Sequence, residues 1–259
     1  MKTFGIIGIT LAIFVSMNFA SCKTDNEIIE NKEEIASKIK KIKEIKQAYS
    51  SGDKYSAIFS YDDKNRLVNI ITKKEDREWS DDCTWGNNIV ISPCCTYNLR
   101  NGLIISSSFG EEFKYSSSNQ LLSIIDDDNS NLYTWENGNL VRFEKQYHNE
   151  FHNILHIFYS DKTCEGYFPL MAGALFYQFN CSALFYDDLG ILMAHPELTG
   201  TKIKNLPNKI VSVDNSIPSV LVSYLLEYTF TKDGYIESCT VIEESDYGKE
   251  TMIVTFKWQ

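Results

Sequence analysis

The sequence predicts a mainly β fold: an antiparallel meander of repeated hairpins that curls into a soluble half-barrel or closed barrel. A short apolar insert, helical or irregular, is expected on its concave side. Three observations carry this. The stretch "YTWENGNLVRF" (133–143) reads as strand, tight turn and strand. Variants of the same unit recur along the chain. A complement of 15 Tyr, 15 Phe and 4 Trp suits a β-rich core.

The repeat is visible when five stretches are aligned: "FSYDDKNRLVNI" (59–70), "CTYNLRNGLIIS" (95–106), "FKYSSSNQLLSI" (113–124), "LYTWENGNLVRF" (132–143) and "YTFTKDGYIESC" (228–239). Each has an aromatic closing a strand: Tyr61, Tyr97, Tyr115, Trp135 and Phe230. In four of them Asn65, Asn101, Asn119 or Gly234 follows four positions later, and Leu67, Leu103, Leu121 or Ile236 two further on. Asn and Gly accept positive φ at low cost. A type I turn followed by one such residue is the usual three-residue hairpin loop, closing on a bulge. In the fourth stretch Asn137-Gly138 makes a two-residue turn instead. The strands obey period two: Ala57, Phe59 and Tyr61 share one face, Ser56, Ile58 and Ser60 the other. Sequential hairpins bury their faces only by adding neighbours, so a long array must curl, split or close.

One segment breaks this rhythm. Residues 165–198 are apolar on every side, which predicts burial. Short helices over 169–179 and 182–194 are expected there. A sixth hairpin, "LFYDDLGILM" (184–193), is the alternative, because periodicity does not arbitrate in apolar runs. Near the start, "KIKKIKEIKQ" reads as a first strand that pairs with "KYSAIFSY" across the turn "YSSGD".

The first 21 residues carry one charge, Lys2, and then an apolar run that ends in small residues before Cys22. That pattern is a secretory signal peptide. The expected organisation is a signal peptide over 1–21, a polar tether over 22–36 and a single β domain over 37–259, with 165–198 as its insert. The net charge of −10 leaves no electrostatic footprint for nucleic acid. Apart from Cys22 the cysteines are Cys83, Cys94, Cys95, Cys164, Cys181 and Cys239, and none form a C-x-x-C pair. Cys164 and Cys181 flank one apolar segment and are placed to staple it; buried thiols are the competing reading.

The junction "FASC" resembles the lipobox of bacterial lipoproteins, with Phe19 where Leu is more usual. Cleavage before Cys22 would leave that thiol carrying lipid, and the acidic residues after Lys23 resemble an export signal for the outer face of the outer membrane. The lipobox, the tyrosine-turn hairpins, "YTWENGNL" and "GTKIKNLPNKI" (200–210) together resemble a Bacteroidetes lipoprotein family of unknown function with a porin-like fold. The resemblance covers roughly residues 38–259. It implies a curved or closed antiparallel barrel with the apolar segment at its centre, an outer-membrane address facing the periplasm or the cell surface (surface favoured), and no catalytic residues. Hairpin arms of five to seven residues, with Arg66, Lys114, Arg142 and Glu237 inside them, point away from a membrane-crossing barrel.

Few constellations suggest chemistry. His148, His152 and His156 stand four apart, as a helical metal site would need, but strands flank them, so they are weak candidates and no metal or other cofactor is expected. "DDDNSN" (126–131) alternates oxygen ligands but lacks the glycine and glutamate of a calcium loop. The acid pairs Asp62-Asp63, Asp81-Asp82, Asp187-Asp188 and Glu243-Glu244 read as turn residues. No nucleophile elbow or phosphate loop is present. The expectation is therefore a non-enzymatic, lipid-anchored envelope protein that binds a small apolar or glycan ligand. A structural or interaction protein of an outer-membrane assembly is the alternative, and a hydrolase the third. Its partners would be the membrane, through the lipid, and a small molecule or protein; nucleic acid is excluded.

Overall fold

The computed structural model describes residues 40–148, 150–168, 189–214 and 221–259. The meander belongs to one compact unit, Ile39–Gln259. The expected signal peptide, Cys22 and tether lie outside the described residues, as do residues 169–188 of the apolar insert.

Seventeen strands follow one another in chain order among the described residues. They are β1 (Ile42–Tyr49), β2 (Lys54–Tyr61), β3 (Leu67–Lys74), β4 (Arg77–Asp82), β5 (Thr84–Gly86), β6 (Ile89–Ile91), β7 (Thr96–Arg100), β8 (Leu103–Ser107) and β9 (Glu112–Tyr115). Then come β10 (Leu121–Ile125), β11 (Asn129–Glu136), β12 (Asn139–Tyr147), β13 (Glu150–Tyr159), β14 (Pro207–Asp214), β15 (Leu221–Phe230), β16 (Ile236–Ser245) and β17 (Gly248–Trp258). Apart from β4 and β5, sequence neighbours pair antiparallel, and β1 pairs with both β2 and β17, which joins the first strand to the last. The result is a nearly closed barrel, and closure leaves few edges to protect. The weak seam lies at β4 and β5, two halves of one strand parted at Cys83: β4 pairs with β3, β5 with β6.

The expected turn chemistry is present. Asn65, Asn101, Asn119 and Asn137 have φ of 58°, 53°, 60° and 52°, and Gly234 has 85°. The ladders slip by one residue beside these turns, for example at Ser60/Tyr61 and Thr229/Phe230, as a bulge requires. The first turn residue anchors the loop: Asp62 Oδ1 accepts from the Lys64 and Arg66 amides, and Ser116 Oγ from those of Ser118 and Gln120. Asp126 does the same for Asp128 and Asn129, so "DDDNSN" is a rim turn.

Two expectations are corrected. The hairpin alternative for 182–194 fails where the structure describes it: Leu189–Ala194 is a helix, α1, followed by a 3-10 turn at Pro196–Thr199. Arms of five to seven residues hold only for part of the chain, since β12 to β17 run from 8 to 11 residues. The turns at the other end of these strands carry weaker signals than Asn-Gly, which hid their length.

The core lines the barrel. Inward residues such as Ile45, Phe59, Ile70, Phe143, Leu155 and Val254 are at most 5% exposed. Against them pack Ile191, Leu192 and Met193 of α1, all at most 1% exposed. Gly190 lets this helix approach β3, since a Cβ there would lie 2.1 Å from Ile70 Cδ1.

Candidate functional site

The barrel has two unlike ends. One, the cap end, holds the start of β1, the end of β17 and the Asn and Gly turns. The other, the rim, holds turns such as Ser50–Asp53 and Asp246–Tyr247.

At the cap end, seven aromatic side chains each donate one hydrogen bond to a backbone carbonyl of the neighbouring strand. Tyr61 Oη reaches Ile42 O at 2.9 Å, Trp85 Nε1 reaches Leu67 O at 2.8 Å and Tyr115 Oη reaches Ile104 O at 2.8 Å. Trp135 Nε1 to Leu121 O is 2.7 Å, Tyr159 Oη to Leu140 O is 2.6 Å, Tyr228 Oη to Pro207 O is 2.6 Å and Trp258 Nε1 to Ile236 O is 2.7 Å. In six of the seven the two strands are joined at the rim, so the bond ties their open ends; the β14–β15 connection lies outside the described residues. Every such clamp contributes about 1 kcal/mol. This explains the aromatic in three of the five hairpin stretches, Tyr61, Tyr115 and Trp135; in "YTFTKDGYIESC" the clamp is Tyr228, while Phe230 faces the bulge opposite Ile236, and Tyr97 of "CTYNLRNGLIIS" is a core residue.

Across this end runs a strap, residues 195–206, hooked to successive turns. Buried His195 accepts the Leu67 amide at Nε2 (3.0 Å) at the start of β3. Thr201 N bonds Asn119 O at 2.9 Å, and its hydroxyl bonds Ser118 O at 2.6 Å. Lys204 N bonds Gly138 O at 2.9 Å, and Asn205 N bonds Asn139 Oδ1 at 2.8 Å. Gly200, at φ 104°, passes where a Cβ would lie 2.0 Å from Asn119 O. The distinctive "GTKIKNLP" is thus the text of the strap. Beside it a dish between Lys41, Tyr167, Glu197 and Trp258 offers about 20 Å³, room for water and not for a ligand.

Toward the rim the inside of the barrel changes character. Two positions beyond the last apolar residue, strand after strand turns polar. Ile45 gives way to Gln47, Ile70 to Thr72, Tyr133 to Asn131 and Phe143 to Lys145. Leu155 gives way to Asn153, Ile210 to Ser212, Val241 to Glu243 and Met252 to Glu250. Period two keeps each pair on the same face, so these side chains form a polar collar just inside the rim. Ser212 Oγ donates to Asn153 Oδ1 at 3.1 Å. Glu243 and Glu250 are directly opposed on β16 and β17. Burial first, and then the Glu250 charge, push the Glu243 carboxyl above its ordinary value. Gln47 is 1% exposed, yet neither atom of its amide has a hydrogen-bond partner among the described residues. Such a group costs the fold its full desolvation penalty.

The residues singled out from sequence are dispersed. His148 is the β12–β13 turn residue at the rim, with φ 48°, and faces Asp128 at 3.3 Å. His156 is exposed in β13 opposite Arg142, eight positions on from His148 and roughly 20 Å from it along the sheet. The His152 side chain lies outside the described residues. Strands do flank this histidine set: β12 ends at Tyr147 and β13 begins at Glu150. Cys164 is a half-buried free thiol whose pKa burial pushes up to about 11; Cys181 lies outside the described residues. Asp62 pairs with Arg66 at 2.6 Å, and Glu244 with Lys249 at 2.8 Å, both as surface contacts. Sequence reading missed Gln47, Glu250 and His195. Gln47 was legible in principle, as the inward position after Ile45.

The chain matches no protein-family model and no curated protein by sequence. Two solved structures resemble it in fold, both described as porin-like proteins. One, from Bacteroides uniformis, is 12% identical with a TM-score of 0.57, and the match covers 84% of this chain and 98% of that one. The other, from Bacteroides vulgatus, is 12% identical with a TM-score of 0.54 and the same coverage. The barrel described above is therefore of porin-like architecture.

Proposed function

We propose that this protein is a non-catalytic binding module of the cell envelope, a cup strapped at one end that takes a hydroxyl-rich ligand such as a glycan at its polar rim. The observation that carries this is the collar, above all the buried amide of Gln47. Barrel mouths are common ligand sites, and a few convergent polar groups above an apolar floor are what such sites use. A purely apolar ligand fits less well, because it would leave Gln47, Asn153 and the Glu243–Glu250 pair desolvated without compensation.

Lipid attachment at Cys22 belongs to the same proposal. The first strand starts at the cap end, where the Lys41 backbone pairs with that of Gln259. The outward face carries Lys46, Arg142, Glu144, Lys209, Glu227 and Lys257; each Lys or Arg would cost about 2–4 kcal/mol at a bilayer midplane, and each Glu somewhat less. That supports a tethered cup over a barrel embedded in lipid.

The test is a panel of neutral and acidic oligosaccharides set against long-chain fatty acids, read by thermal shift and calorimetry on the full chain. Saturable oligosaccharide binding is expected; binding of fatty acids alone would reverse the ligand class. An interaction protein remains the second reading, favoured by large apolar side chains exposed singly on the outward face: Phe158, Leu221 and Ile253 are 51%, 55% and 45% exposed. Concentration-dependent self-association lost in Leu221→Ser would select it.

A further inference from the structure

His195 is the fourth histidine of the chain, outside the spaced set that suggested metal, and its surroundings fix its chemistry. It is 4% exposed and meets the edges of Trp85 and Tyr61, with ring centroids 4.9 Å and 6.0 Å away. The Leu67 amide can only donate, so Nε2 must be the acceptor and the proton sits on Nδ1. Nδ1–H then donates to Glu197 Oε1 at 2.8 Å, and the same oxygen receives the Lys41 ammonium at 2.8 Å. Lys41 is the residue just before β1, so one carboxylate joins the root of the barrel, the strap and the imidazole.

We propose that His195 is an acid-released latch, holding the strap on the β2–β3 turn while neutral and letting go when protonated. A proton on Nε2 would oppose the Leu67 N–H, removing its acceptor and leaving two donors face to face in a buried site. The groups around the ring are accounted for by element. The 3-10 turn supplies Glu197, which favours the imidazolium; the chain before β1 supplies Lys41, which opposes it. The β2–β3 turn supplies Asp62, paired with Arg66, and β2 and β5 supply Tyr61 and Trp85. Burial dominates and pushes the imidazole below its ordinary value, against the pull of Glu197. A depressed histidine binds its proton more weakly in the latched state than in the open one. Latching is therefore complete above the ordinary value near 6.5 and weakens as pH falls toward the depressed one.

The experiment is amide hydrogen exchange on the full chain from pH 7.5 to 5.0, corrected for intrinsic rates. Protection of Leu67 and of 195–206 should stay level from pH 7.5 to about 6.5 and then fall by up to about tenfold per pH unit, while β16 and β17 keep theirs. In His195→Gln, whose amide oxygen still accepts from Leu67 without titrating, the dependence should vanish. Constant protection of the wild-type strap to pH 5.0, or the same fall in the variant, overturns the latch. Should the variant not fold, nitrogen NMR of the wild-type imidazole decides: an Nε2–H tautomer at pH 7.5 refutes it, and an Nδ1–H tautomer that titrates together with the Leu67 amide sustains it.

Discussion

Replacing Tyr61 or Tyr159 by Phe removes one oxygen and nothing else, which isolates the aromatic clamp. Each hydroxyl donates to a single carbonyl, Ile42 O at 2.9 Å and Leu140 O at 2.6 Å, at the open end of a strand pair that no turn joins there. An intramolecular hydrogen bond contributes about 1 kcal/mol net, and leaving a buried carbonyl unmatched costs up to about 3 kcal/mol. Both tyrosines are half-buried, so water can reach the freed carbonyl in part. The expected loss is about 1–1.5 kcal/mol for each variant. For a domain of this size that lowers Tm by roughly 2–6 °C. The two clamps sit on β2 and β13 and share no partner, so the double variant should lose about 2–3 kcal/mol. Urea titration with an unchanged m-value measures this, with Tyr247→Phe, 85% exposed, as the neutral control. If both single variants stay within about 0.3 kcal/mol of wild type, the clamps do not hold the cap end and the reading of the repeat is wrong.

Further outcomes follow from the same geometry. Gly200→Ala forces a Cβ against the Asn119 carbonyl at a left-handed φ and should cost about 3 kcal/mol, with exchange protection lost first in the strap. Asn101→Ala should cost about 1 kcal/mol because φ there is 53°, whereas Asn101→Gly should be nearly neutral; thermal melts separate them. Glu243 has a raised carboxyl, so the native state holds its proton more firmly than the unfolded chain and stability falls as pH rises through that raised value. Glu243→Gln should remove this slope and be more stable at pH 7 than wild type, as urea midpoints at pH 4.5 and 7 would show.

Much of the barrel was legible because its instructions are local. A positive-φ residue four positions after an aromatic, with an aliphatic two further on, encodes a turn, a bulge and a core contact within one short stretch, and Asn65, Asn119 and Gly234 each do this. The purpose of the aromatic was not legible, because its acceptor lies 11 to 22 residues upstream across the sheet. That is why Phe230 was taken for Tyr228. The collar was hidden for a different reason. Gln47 in "KIKEIKQ" and Glu243 in "VIEES" resemble solvent-facing residues until the register shows which face is inside. Glu243 and Glu250 become partners only when the turn at Asp246–Tyr247 closes them together. His195 was passed over because the search was for spaced metal ligands, whereas its role depends on one backbone amide 128 positions away.

The account stands or falls on where a ligand meets this protein. Once the oligosaccharide panel yields a binder, amide and methyl NMR titration of the full chain should locate it. Shifts confined to Gln47, Thr72, Asn131, Asn153, Ser212 and Glu243, with at least a tenfold loss of affinity in a folded Gln47→Leu variant, are the predicted result. Shifts centred on the strap around His195 and Thr201, or on the outward face at Phe158 or Leu221, with Gln47→Leu binding as well as wild type, would contradict it.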